Sequence, residues 1–96
     1  MAWYVYLLRC GDGSLYTGST SDVARRVAAH QAGKGAKYTR SHLPVELVYQ
    51  EELPDQSAAL RREAAIKRMP RRQKLALLEQ AKPPSERESG RSAADA

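Results

Sequence analysis

Glu63 falls between Ala59, Leu60, Ile66 and Met69, which line one stripe at the ~100° per residue of an α-helix. A carboxylate on a buried-facing stripe needs a counter-charge or a cation to coordinate. Lys67, four residues on, offers the first. A hard divalent ion such as Mg2+ is the alternative, because it often takes only one or two protein carboxylates and keeps several waters. Arg26 and His30 also stand four apart. They flank Val23 and Val27 on one rim of an apolar helix face, so both can point at a common spot. A fixed cation beside a group of suitable pKa is what phosphodiester cleavage needs, the first for charge on the phosphoryl oxygens and the second for proton transfer. Tyr4, Tyr6 and Tyr16 are three of the five tyrosines, and all lie near Gly11-Asp12-Gly13. Packing is the default role of each ring, and a phenol of pKa near ~10 acts as a base only where a cation or acceptor assists it.

The stretch Gly33 to Arg40 adds Lys34, Lys37, Tyr38 and Arg40, mixing charge with one ring that can stack on a nucleobase. Other chemistries are excluded. Gly33-Lys34-Gly35 lacks the Gly-Lys-Ser/Thr ending of a phosphate-binding loop, and Gly11-Asp12-Gly13 lacks the third glycine of a dinucleotide fingerprint, so no nucleotide cofactor is implied. Ser41-His42 has no visible acid partner to make a triad.

These side chains need a frame. Trp3 to Arg9 is aromatic and β-branched enough for a strand, and Leu15 to Thr20 reads as a second after the glycine-rich turn. The hairpin register is open. A two-residue Asp12-Gly13 turn pairs Gly11 with Ser14; a three-residue loop pairs Cys10 with Ser14 and sets Tyr6 opposite Gly18 and Tyr16 opposite Leu8. Ser21 or Asp22 caps a helix from Val23 to about Gln31, with Gly33 as its stop. A flexible basic loop follows to Arg40, then a third strand from Val45 to Glu51. A helix from about Ala58 to Met69 is broken by Pro70, which begins another from Arg71 to about Ala81. The order is β-β-α-β-α-α. One domain spans residues 1–81, and 82–96, rich in Ser, Glu, Arg and Ala, is expected to be disordered.

Cys10 is the lone cysteine, so no internal disulfide forms, and no Cys/His cluster suggests structural zinc. The N-terminal apolar run is too short for an export signal or a membrane span, which points to a cytoplasmic protein without a membrane partner. Lys and Arg number 16 against 11 acids, a net charge of +5. The tail balances Lys82, Arg87 and Arg91 against Glu86, Glu88 and Asp95, so the excess lies in residues 1–81 and favours a polyanionic partner.

Taken in order, Tyr4-Val5-Tyr6, Tyr16-Thr17-Gly18, Arg26 with His30, and Glu63 resemble the GIY-YIG nuclease superfamily, and most of all its small, single-domain bacterial members. The combined spacing carries the likeness, across about residues 3 to 80. The resemblance implies an α+β fold, a three-stranded antiparallel sheet flanked by about three helices. It further implies an endonuclease acting on DNA, in repair or processing of unusual structures, with one divalent ion, Mg2+ or Mn2+, held by Glu63. Tyr16 would help deprotonate the attacking water, Arg26 and His30 would steady the phosphate, and Tyr6 would support water or phosphate by hydrogen bonding. Both tyrosines then share a face, which requires the three-residue loop, and Gly18 would leave room for substrate backbone. Lys34, Lys37, Tyr38, Arg40 and Lys67 complete the nucleic-acid contacts. Tyr4 stands where the family name has glycine, and the late asparagine of many members is absent, with Lys67, Gln73 or Lys74 as candidate replacements.

Overall fold

In the computed structural model, which describes residues 2–81, the chain runs β1 (Trp3–Arg9), β2 (Leu15–Thr20), α1 (Val23–Gln31), α2 (Lys37–Arg40), β3 (Glu46–Leu53), α3 (Gln56–Lys67) and α4 (Arg71–Ala81). The expected tail, 82–96, lies outside the described residues. The sheet is antiparallel throughout, in the order β2-β1-β3, an α+β architecture.

The hairpin takes the three-residue loop. Cys10 N–H donates to the Ser14 carbonyl at 2.9 Å, and Gly13 N–H to the Cys10 carbonyl at 2.9 Å. Gly13 sits at φ 86°, a left-handed position that only glycine enters without steric cost and that closes such loops. Tyr6 therefore pairs with Gly18 and Leu8 with Tyr16. The pleat of β1 divides the core in two. Tyr6, Leu8 and Cys10 pack with Val27, Val45, Val23 and Tyr16 on the α1 face, while Val5 and Leu7 pack with Ala59 and Ile66 on the α3 face. On β3 a register shift opposite Leu7/Leu8 leaves Val48 as the extra residue, so Val48 and its neighbour Tyr49 both join the α3-side cluster.

Caps set the helix ends. The Asp22 side chain accepts from Arg25 N–H at 3.1 Å at the start of α1. At its other end Gly33 N–H reaches the His30 carbonyl and Lys34 N–H the Ala29 carbonyl, with Gly33 at φ 77°, the Schellman arrangement. Helix α3 starts two residues earlier than predicted because Asp55 caps it, accepting from Ala58 N–H at 2.8 Å. It ends at Lys67 rather than Met69, since a residue preceding proline is pushed out of helical geometry.

Two expectations are corrected. Leu60 is 51% exposed, so the inward face of α3 runs through Ala59 and Ile66 with Glu63 beside it. The basic stretch after Gly33 is not wholly loop, because Lys37 to Arg40 forms the short helix α2 around a fully buried Thr39. Among the described residues no helix is long and apolar enough to cross a membrane.

Candidate active site

Tyr6 leaves the middle of β1 toward α1, where its ring lies against the bare backbone of Gly18. A Cβ at position 18 would stand 2.5 Å from the Tyr6 hydroxyl oxygen. The room expected for substrate backbone is thus filled by the Tyr6 phenol. That hydroxyl lies 2.9 Å from His30 Nε2, and His30 Nδ1 lies 2.7 Å from Thr39 Oγ1. Both ring nitrogens are engaged within the protein, and His30 has no exposed surface. Arg26 and His30 do act on a common spot, the Tyr6 hydroxyl, but they differ in exposure. Four residues advance an α-helix by slightly more than one turn, and here Arg26 stays exposed while His30 passes under α2.

The Tyr6 phenol is pushed above its ordinary pKa, chiefly by burial and further by the Tyr16 and Glu63 charges; the Arg26 guanidinium beside it opposes the shift. Burial and then Arg26 hold His30 below its ordinary value, so the imidazole is neutral at pH 7. Tyr16 is half-buried, with its ring centroid 5.3 Å from His30.

Glu63 approaches from the opposite face of the sheet. Ser19 pairs with Val5, whose side chain belongs to the α3-side core, and Ser19 Oγ donates to Glu63 Oε1 at 2.6 Å. Because β2 is an edge strand, side chains from both faces reach its border. Lys67 Nζ lies 2.6 Å from Glu63 Oε2, so the lysine counter-charge weighed from the sequence is present. The Glu63 side chain is 17% exposed and that of Lys67 53%. Among the described residues no three His, Cys, Asp or Glu side chains cluster at metal-binding distances. A single oriented carboxylate, paired only with a half-exposed lysine, fits a hard divalent ion that keeps most of its waters.

The remaining residues lie further out. Lys34, Lys37 and Arg40 are exposed around α2. The Tyr38 ring lies 4.2 Å from the His42 ring in a near-parallel stack, and its hydroxyl donates to Ser14 Oγ at 2.5 Å, so this ring is stacked within the protein. Of the three candidate replacements for the late asparagine, Lys67 is the one ion-paired to Glu63. Sequence reasoning missed Ser19 and Thr39. Ser19 could have been found from its place next to Gly18 in the second motif; Thr39 carries no signal.

Two tyrosines, an arginine and a glutamate thus gather around the β1–β2 side of this sheet. A profile of the GIY-YIG catalytic domain matches residues 2–76, and the chain belongs to that family, a nuclease superfamily. Among its relatives is a UPF0213 protein of Streptococcus sanguinis, 58% identical over 77 residues, covering 80% of this chain and 88% of that protein. A second, from Cupriavidus pinatubonensis, is 60% identical over 74 residues, 77% of this chain and 82% of the relative. The solution NMR structure of a UPF0213 protein of Bacillus halodurans matches with a TM-score of 0.57 at 45% identity, covering 92% of this chain and 94% of that one.

Proposed function

We propose that this chain is a divalent-metal-dependent endonuclease that hydrolyses DNA phosphodiester bonds, in repair or in processing of branched or single-stranded structures. The observation that carries the reading is the convergence on one hydroxyl: Tyr6 lies within electrostatic reach of Tyr16, Arg26 and Glu63 at once.

In the reaction, the Arg26 guanidinium neutralises charge on the phosphoryl oxygens, worth more beside a half-buried site than in water. The Tyr16 hydroxyl oxygen accepts the proton that the attacking water loses, passing its own to solvent. The water oxygen bonds to phosphorus, the opposite P–O bond breaks, and the leaving oxygen collects a proton from solvent. Glu63 would hold Mg2+ or Mn2+, which supplies Lewis acidity and lowers the pKa of a bound water. Ser19 fixes the carboxylate for that role.

The surface charge supports a nucleic-acid substrate. Arg9 is paired with Glu46, Arg62 with Glu51 and Lys67 with Glu63. Among the described residues, Arg25, Arg26, Lys34, Lys37 and Arg40 on the α1–α2 side make no ion pair, nor do Arg68, Arg71 and Arg72 at the α3–α4 junction. Cations with no ion pair among the described residues thus lie on the α1–α2 side and at the α3–α4 junction, and each that meets a phosphate releases condensed counterions.

One observation favours a second reading. The Lys67 ammonium sits on the carboxylate an ion would use, as in a nucleic-acid-binding module with little turnover. The test is incubation of labelled single-stranded, duplex and branched DNA, and RNA, with Mg2+ or Mn2+. Metal-dependent cutting that Glu63→Ala abolishes is expected. Binding without cutting would favour the module, and cutting retained by Glu63→Ala would assign it to a contaminant.

A further inference from the structure

Tyr6, His30 and Thr39 form a buried chain whose proton directions can be worked out from its far end. The Thr39 hydroxyl donates to the Ala36 carbonyl at 3.0 Å. A hydroxyl has one proton, so a Thr39 that spends it on Ala36 meets His30 Nδ1, 2.7 Å away, as an acceptor, and Nδ1 then carries the hydrogen. A neutral imidazole has a single N–H, which leaves Nε2 bare to accept the Tyr6 phenolic proton across 2.9 Å.

We propose that Thr39 is a positioning residue for the active site: by holding His30 in the Nδ1–H tautomer it turns the Tyr6 proton inward and leaves the Tyr6 oxygen as an acceptor facing Arg26. The opposite tautomer donates from Nε2 to Tyr6 and drives the phenolic proton outward against the guanidinium, donor facing donor. That arrangement loosens the arginine.

The backbone encloses the same chain. Gly35 passes so close to the imidazole that a Cβ there would overlap Nδ1, and Gly18 lies against the Tyr6 hydroxyl at the other end. The charged and titratable groups facing the chain are Arg26 from α1, Tyr16 from β2 and Glu63 from α3. Depression of the His30 pKa by burial agrees with its neutral form. The catalytic weight of Thr39 rests on the nuclease reading, whereas the tautomer does not.

Long-range 1H–15N correlation, with aromatic 13C detection, on the 13C,15N-labelled protein at pH 7 is the test. We expect Nδ1 of His30 to resonate as a pyrrole-type nitrogen and Nε2 as a pyridine-type one. Thr39→Val, which leaves Nδ1–H without an acceptor, should abolish that preference and shift the Tyr6 Cζ and Arg26 Nε–H signals. Thr39→Ser should restore all three. In cleavage assays the valine variant should lower kcat, with KM little changed and serine rescuing. An Nε2–H tautomer or an imidazolium in the wild type overturns the proposal, and so does a valine variant with unaltered Tyr6 and Arg26 signals. The wild-type spectrum needs no variant, so a Thr39→Val chain that fails to fold leaves it decisive. A wild type with the stated tautomer that cuts no nucleic acid overturns the nuclease reading instead.

Discussion

The two faces of the sheet are built from alternate residues of one strand, yet they are held by different forces. On the α3 face, Val5 and Leu7 meet Ala59 and Ile66 in apolar contact, and stability there is a matter of filled volume. On the α1 face, Tyr6 shares the interior with the fully buried polar side chains of His30 and Thr39, which are hydrogen-bonded to one another. Polar groups in that setting contribute little net stability while paired and cost a good deal when a partner is removed. The apolar face is a support, and the polar face is where a phenol, an imidazole and a guanidinium hold fixed relations. Glu63 joins them from the supporting side because α3 lies along the edge strand, bonded to Ser19.

The contrast can be broken most strongly on the apolar side. Ile66→Ala removes a fully buried side chain from a small core, and a loss of about 2–5 kcal/mol is expected in urea unfolding. The Tyr6–His30 pairing should persist in whatever fraction stays folded. A loss under 1 kcal/mol would show that this face is not the main support.

A smaller effect should follow on the polar side. Tyr6→Phe keeps the ring but strands His30 Nε2 without a partner, for an expected cost of about 1–3 kcal/mol. Adding His30→Leu in the same chain should recover part of it, because the stranded imidazole nitrogen is gone while the Thr39 hydroxyl keeps its bond to the Ala36 carbonyl. If the double variant is less stable than the sum of the singles, the polar chain is not the source of the cost.

The smallest expected effect is on pH dependence, and only the α1 face should produce it near neutrality. His30 is held below its ordinary pKa in the fold, so below about pH 6.5 the unfolded chain takes up a proton that the folded chain does not. Stability should therefore fall as pH drops through that value, and level off once the folded-state pKa is passed. Tyr6 acts at the other extreme: its raised pKa means stability should fall above about pH 10 as only the unfolded phenol ionises. Thermal midpoints measured from pH 8 down to pH 5 should lose part of their slope in a His30→Gln variant. An unchanged slope would place the titration elsewhere.

Local chemistry was legible in the sequence wherever it depended on neighbours along the chain. Ser21 or Asp22, of which the structure uses Asp22, and Gly33 marked the ends of α1, Pro70 separated α3 from α4, and the glycine-rich turn announced the hairpin. The spacing of Tyr6, Tyr16, Arg26 and Glu63 likewise pointed to the family that the comparisons show. The hairpin register was not legible from the turn residues, because two loops share the same Asp12-Gly13 step; only the resemblance, by placing both tyrosines on one face, pointed to the pairing that the packed strands adopt. Helix α2 was invisible for a related reason: Lys37-Tyr38-Thr39-Arg40 has no apolar period, and its one buried residue is a threonine bonded to a histidine nine positions away. His30 shows the division most plainly. Its type and its distance from Arg26 suggested chemistry, but whether it would face solvent or Tyr6 depended on how α1 rolled against β1 and on what α2 laid over it. Covalent order sets which side chains can act. Burial and hydrogen-bond direction, which belong to the packed chain alone, set what each of them does.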